Sequence, residues 1–337
     1  MKSPLARRSL LTGALVCTAS LALSAFSLDA MAQTITVGHA TSDNSPYSTG
    51  VDAFKATLEK LSGGKFTVNE QPAGALGGER SMIEGLQIGT IDAVITSTGP
   101  LGNFVPETYV LDLPFLFDDY QQAHCVLDGP IGQGLLNKID QNNLVGLAWT
   151  ENGFRHLTNN KRQVRTPEDV AGLKIRTMEN KVHMAAFRAM GAHPTPMAFP
   201  ELFTALQQGT VDGQENPISV ILTSNLWEVQ DYLSLTGHVY SPAVMLASPV
   251  LWDGLSDEEK SWFKQAAKAG AKATRVEVSQ LESEGVKELE DHGMKVVRDI
   301  DKEVFRKAVQ PAYKIYTDQY GSEMLDRIRD SECLADS

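Results

Sequence analysis

Three side chains in this sequence could do chemistry together: Arg155, Arg176 and Asn216. Arg176 closes the run Leu173-Lys174-Ile175-Arg176, apolar and basic by turns as a strand requires. Just before it, Thr166, Pro167 and Asp169 read as a helix start, with a hydroxyl cap, a proline at the first position and a carboxylate in the first turn; Gly172 stops that short helix. A guanidinium at a strand end beside a polar loop can hold a carboxylate bidentately and stays charged at any relevant pH. For Arg176 alone the alternative is a surface salt bridge. Arg155 is placed just after a strand, in Trp149-Thr150-Glu151-Asn152-Gly153-Phe154-Arg155. Asn216 ends the polar turn Asp212-Gly213-Gln214-Glu215-Asn216-Pro217 and offers a carbonyl and an amide to hydroxyl or carboxylate groups. Ordinary turn chemistry accounts for that segment equally.

Other constellations carry less. Gly74-Ala75-Leu76-Gly77-Gly78-Glu79-Arg80 lacks the Gly-Lys-Ser/Thr ending of a nucleotide loop and reads as a tight turn before a helix, with Glu79 able to face a cleft. There is no His-Glu-x-x-His and no Gly-x-Ser-x-Gly. The 7 histidines show no metal-ligand spacing, and Cys125 and Cys333 are not a zinc pair. No nucleophile with an adjacent base stands out, so no cofactor, metal or catalytic residue is expected.

The elements that would position these groups follow from periodicity. Strands are expected at 34–38, 66–68 and 91–95, with helices between them from Pro46 and from Arg80 to Ile88. This β-α-β-α-β order implies an α/β protein whose parallel sheet is covered on both faces and whose ligand lies beyond the carboxyl ends of the strands. Leu86-Gln87-Ile88-Gly89-Thr90-Ile91-Asp92-Ala93 recurs as Leu206-Gln207-Gln208-Gly209-Thr210-Val211-Asp212-Gly213, which favours two lobes of similar construction. A helical run is expected from Pro217 through Trp227 and Tyr232, then a strand over 239–246. Ser256-Asp257-Glu258-Glu259 is a capping box opening a helix with no clear break before Gly293, roughly 50 Å long at ~1.5 Å per residue and able to reach across both lobes. The last segment, around Phe305, Tyr313 and Tyr316, reads as helix.

The totals set bounds. With 337 residues, 42% of them hydrophobic, the chain can bury a proper core; its net charge of −12 argues against nucleic acid and anionic membrane surfaces as partners. Lys2, Arg7 and Arg8, the apolar run 10–26 and Ala30-Met31-Ala32 before Gln33 read as a secretory signal peptide over 1–32. Its loss removes three basic residues and Asp29, leaving a charge of −14. Arg7-Arg8 faintly suggests twin-arginine export, with ordinary secretion preferred. Cys17 leaves with the leader; Cys125 and Cys333 can then pair in an oxidising compartment or remain two thiols, with the disulfide slightly favoured.

In order, Asn152-Gly153-Phe154-Arg155, Gly172-Leu173-Lys174-Ile175-Arg176, Pro194-Thr195-Pro196-Met197-Ala198-Phe199 and Val211-Asp212-Gly213-Gln214-Glu215-Asn216-Pro217 resemble the solute-binding subunits of tripartite ATP-independent periplasmic (TRAP) transporters, of the C4-dicarboxylate type. The resemblance covers nearly all of the mature chain. It implies a two-lobed periplasmic-binding-protein-like fold, with a mixed sheet in each lobe and the long helix spanning both. The lobes would be 33–150 with about 241–280, and 151–240 with about 281–310, followed by a C-terminal helix and tail over 311–337. It also implies that Arg176 pairs with a ligand carboxylate, that Arg155 supports the carboxylate or another polar group, that Asn216 bonds nearby and that Phe199 lines the pocket. First-lobe contacts would fall at His39, Glu79 and Ser97; His39 and Glu79 suggest a ligand with hydroxyls, such as a sugar acid. Trp149 and Tyr240 either wall the cleft or belong to the core. The implied partners are a small organic acid and the small and large membrane subunits of the transporter, with the binder a periplasmic monomer. The rivals are a secreted enzyme using Glu79 and His39 as acid and base, and a ligand-binding partner of a sensor kinase.

Overall fold

The computed structural model describes residues 32–331 and 333; the leader expected over 1–32 lies, but for its last residue, outside them. Strands β1 (Gln33–Gly38), β2 (Phe66–Gln71) and β3 (Ala93–Ser97) form a parallel group in the order β2-β1-β3. A second parallel group, β7-β5-β6, is made by β5 (Lys174–Thr177), β6 (His193–Pro196) and β7 (Gly213–Asn216). Two long antiparallel strands, β4 (Val145–Asn159) and β8 (Tyr232–Ala247), join the groups: β8 pairs with β3, β4 with β7, and the two with each other over most of their length. The expected two halves therefore share one continuous mixed sheet of nine strands, the last being β9 (Lys295–Val297) alongside β8.

The repeated octamer marks equivalent places in the two halves. Each copy ends a helix, Glu79–Gln87 or Leu202–Gln207, and leads into a strand, β3 or β7. In each, the aspartate reaches sideways to an adjacent strand: Asp92 accepts from the Thr36 N–H at 2.8 Å and Asp212 from the Lys174 N–H at 2.9 Å. These bonds satisfy a strand N–H and pin register where the parallel ladder is short.

Helices cover both faces, as βαβ crossovers require. In the helix Pro46–Leu61, Val51, Phe54 and Leu58 turn inward and pack with Phe263 of the long helix Asp257–Asp291. That helix has 35 residues and spans ~52 Å. Its capping box is formed: Ser256 accepts from Glu259 N–H, and Glu259 reaches back to Ser256 N–H at 2.7 Å. It touches both β4 and the helix Ile218–Thr223, and so runs past both halves.

Several local expectations are corrected. Thr166 does cap a box, but the helix it opens is one 3₁₀ turn, Pro167–Val170. Arg155 lies within β4, not after a strand. Helix after Pro217 stops at Thr223, and Tyr232 already begins β8. At the crossing between halves β4 carries register shifts between Glu151 and Gly153 and between Arg155 and Leu157. Gly153 has φ +121°, and a Cβ there would lie 3.0 Å from the Tyr120 hydroxyl oxygen, so this bulge requires glycine.

Cys125, in the helix Tyr120–Asp128, is bonded to Cys333, closing a sequence separation of 208 residues. Cross-linking so long a loop restricts the unfolded chain, an effect of about 2–5 kcal/mol. Replacing both cysteines with serine should lower the melting temperature by several degrees in a thermal scan while leaving ligand affinity unaltered. An unchanged melting temperature would mean that the bond does not restrain the unfolded chain.

Candidate functional site

The carboxyl ends of the parallel strands from both halves converge on a small, narrow cleft. From the first half come Thr41 beyond β1, Glu79 at the start of its helix and Ser97 at the end of β3. From the second come Arg176 and Met178 at the end of β5, Phe199, and Asn216 at the end of β7. Asn152, in the bulge of β4, sits between them. The glycine-rich turn explains itself here: Gly74 has φ +69°, and a Cβ on it would lie 2.6 Å from Pro200 of the other half. It is a close-approach turn against Pro200, not a phosphate cradle.

Arg176 is 1% exposed. Its Nε and Nη2 donate to the Met197 carbonyl at 3.0 and 2.7 Å, while Nη1 is buried with no partner among the described residues. A guanidinium has five N–H bonds. Met197 takes two, so side-on pairing with a ligand is closed, and a carboxylate would be held end-on through Nη1 and the second hydrogen of Nη2. Burial, then the neighbouring Arg155, lowers the pKa of Arg176 to about 10, which keeps it charged at neutral pH. Phe199 places its ring centroid 5.8 Å from the guanidinium carbon.

Arg155 is fully buried but does not line the cleft. It donates through Nε at 2.5 Å and Nη2 at 2.9 Å to the Glu215 carboxylate, and through Nη2 to Asn216 Oδ1 at 3.0 Å. His238 adds a contact to Glu215 at 3.2 Å. Burial pushes the Glu215 carboxyl up, but Arg155 and His238 outweigh it and hold it below the ordinary carboxylate range. Arg155 thus positions Asn216 from behind. Asn216 is also tied to Gln214 through its amide.

The first-half residues divide. Glu79 directs Oε1 at Ser97, accepting its N–H at 2.8 Å and its hydroxyl at 2.9 Å, and at the Thr96 hydroxyl at 3.0 Å; Oε2 has no such bond among the described residues. Glu79 and Ser97 both line the cleft. His39 does not: it is buried behind, with Nε2 2.8 Å from Glu70 and Nδ1 3.1 Å from Thr41, and Thr41 takes the place at the cleft. Trp149 faces away, donating to the Gly132 carbonyl at 2.9 Å and walling a separate, open groove with Leu136 and Arg275. In that groove Arg275 is occupied by Asp128 at 2.7 and 2.9 Å. Tyr240 is core, with Phe154 and Phe117 edge-on at 5.3 and 5.4 Å. The sequence did not point to Ala40, Thr41, Tyr47, Asn152, Met178 and Val220 as cleft residues, nor to Glu215 as the partner of Arg155. The need of a buried arginine for a counter-ion was the available signal for the last.

Residues 37–319 match the family model described as bacterial extracellular solute-binding protein, family 7. The chain is 47% identical over 299 residues to a solute-binding protein of Verminephrobacter eiseniae, covering 89% of each. It superposes with a TM-score of 0.87 on a TRAP periplasmic solute-binding protein of Polaromonas sp. JS666 bound to D-erythronate, at 53% identity, covering 88% of this chain and 98% of that one. The TM-score is again 0.87 for a TRAP periplasmic solute-binding protein of Bordetella bronchispeptica, whose density was interpreted as pantoate, at 52% identity, covering 89% and 99%.

Proposed function

Since the chain belongs to bacterial extracellular solute-binding protein family 7, we propose that it captures a small organic carboxylate (a sugar acid, hydroxy acid or dicarboxylate) and delivers it to the small and large membrane subunits of a TRAP transporter. It does so as a periplasmic monomer, after removal of the leader over 1–32. The lobes divide at about 150, 240 and 280, with the cleft between them, and closure brings Glu79 and Ser97 against Arg176 and Asn216. The observation that carries this reading is the buried Nη1 of Arg176, a cationic donor with no protein partner, in a residue that lines the cleft. An unpartnered buried donor is costly, and an incoming carboxylate relieves that cost. Micromolar affinity needs about −8 kcal/mol. An end-on carboxylate pair with a few charge-assisted bonds at about 1.5–3 kcal/mol each approaches it once water is excluded. The molecules held by the Polaromonas and Bordetella proteins, D-erythronate and pantoate, fit the same chemistry.

Binding rather than catalysis is supported by His39, which is bonded to Glu70 and Thr41 behind the cleft, away from where an acid–base pair with Glu79 would work. The test is mass spectrometry of the small molecule that co-purifies, with a thermal-shift screen of organic acids beginning with D-erythronate and pantoate. A tight ligand raises the melting temperature, and the acid should be recovered unchanged after long incubation. A screen in which no acid shifts the melt, or in which the acid is consumed, would refute it.

A further inference from the structure

We propose that Asp112 is a positioning residue for ligand capture, bridging the two halves behind the cleft through Asn180 and His183, and that closing on the ligand takes up a proton at this bridge. This rests on the carboxylate capture and the closure given above.

Asp112 ends the 3₁₀ turn Pro106–Asp112 of the first half and is fully buried. Its Oδ1 accepts from the Thr98 hydroxyl at 2.8 Å, and Thr98 directly follows Ser97 of the cleft. Its Oδ2 accepts from the Asn180 amide at 2.9 Å, and Asn180 stands two residues after Met178, which lines the cleft from the second half. Asn180 also caps the helix Lys181–Ala189, its Oδ1 accepting from the Val182 and His183 N–H groups at 2.8 and 3.1 Å. One carboxyl thus ties together the segments that follow β3 and β5, immediately behind residues that line the cleft. His183 is 1% exposed, and neither of its ring nitrogens has a hydrogen-bond partner among the described residues. Its Nε2 lies 3.6 Å from Asp112 Oδ1, just too far for such a bond.

This arrangement suits a protonated carboxyl. An ionised Asp112 is a buried charge beside a neutral imidazole, because burial pushes His183 down to about 3. A protonated Asp112 keeps accepting from Asn180 and can donate its O–H to His183 Nε2, giving that nitrogen a partner. Burial raises the Asp112 carboxyl to about 7, against the lowering bonds from Thr98 and Asn180. Its other charged neighbours, Arg155 of β4 and Glu215 of β7, are bonded to each other and act on it with opposite sign. His238 of β8, bonded to Thr236 and Glu215, acts on His183. Lys181 points instead at the ring of Tyr109, on the same turn as Asp112, with its Nζ 4.8 Å from the centroid. Opening the halves draws Asn180 and His183 away and admits water, which returns the carboxyl toward the ordinary value of about 3.9. The raised value belongs to the closed form, so closure binds a proton between those two values. Its contribution to affinity is complete below the lower one and is lost as pH rises through about 7.

The test is calorimetric titration of D-erythronate, or of whichever acid of the screen binds tightest, into the mature protein between about pH 5.5 and about pH 8, where an organic acid group stays ionised. Affinity should fall about tenfold or more across that range. Near pH ~6.5, buffers of different ionisation enthalpy should show roughly half a proton or more taken up per ligand bound. Asp112→Asn imitates the protonated carboxyl: it should keep the low-pH affinity of the natural protein at every pH and take up no proton. Thermal melts without ligand report whether the variant is folded. A flat profile in the natural protein, or a slope that persists in Asp112→Asn and so belongs to His238 or another group, overturns the bridge and leaves the carboxylate reading standing. An Asp112→Asn that does not fold, or binds weakly at every pH, shows that the ionised carboxylate is what the molecule needs and overturns the bridge as well. Failure of every acid of the screen at every pH sinks the carboxylate reading, and the bridge with it.

Discussion

Replacing Arg176 with alanine is expected to abolish measurable binding of the cognate acid while the unliganded protein keeps its fold. The free hydrogens of Arg176 are its Nη1 pair and one on Nη2, in a residue 1% exposed. Two charge-assisted bonds in a dry cleft, at about 1.5–3 kcal/mol each, correspond to a loss of roughly 10²–10⁴-fold in affinity. The cost to the free protein is smaller, because the substitution also removes a desolvated cation that Arg155 disfavours. What is lost is the pair of bonds to the Met197 carbonyl. Calorimetry on the variant, beside its ligand-free melt, separates the two effects. Unchanged affinity would place the carboxylate elsewhere.

The second large effect concerns stability. Glu215 and Arg155 are each 0% exposed and joined by two side-chain bonds. Removing one member of such a pair strands the other charge, which typically costs about 3–5 kcal/mol. Glu215→Ala should lower the unfolding free energy by that amount in a urea titration, and Arg155→Ala by a similar amount. Arg155→Ala should weaken ligand binding less than Arg176→Ala, through the loosening of Asn216; an equal loss would mean that both arginines hold the carboxylate. The pH dependence has a definite sign. Glu215 is held below the ordinary carboxylate range in the folded protein, so it binds fewer protons folded than unfolded. Its stabilisation is complete above the unfolded pKa, ~4.3, and is lost as pH falls below it. Glu215→Gln should flatten the acid limb of the stability profile. A limb of unchanged slope would show that the pair titrates alike in both states.

The fold was legible where periodicity and punctuation agree. The capping box at Ser256 and the apolar stripe Val51, Phe54 and Leu58 are local signals, and the structure uses both. The octamer echo was legible as construction, though the sideways bonds of Asp92 and Asp212 needed coordinates. That β4 and β8 would run through both halves as one sheet was hidden, because buried strands of 15 and 16 residues lack the polar-apolar alternation that marks a half-exposed strand. The same cause misplaced Arg155: inside a buried strand, a cation announces a buried counter-ion, and Glu215 of the neighbouring strand supplies it. Arg176, Asn216, Phe199, Glu79 and Ser97 all line the cleft. His39, Trp149 and Tyr240 do not, since which face a strand residue presents depends on a register that one sequence leaves open. Cys125 and Cys333 are paired, as the oxidising compartment favours.

The most direct measurement is a crystal structure of the mature protein with D-erythronate bound. The acid group should lie about 2.7–2.9 Å from Arg176 Nη1, with Met197 still bonded to the Nε side of the same guanidinium. An acid group held by other residues, with Nη1 against water or protein, would contradict the account.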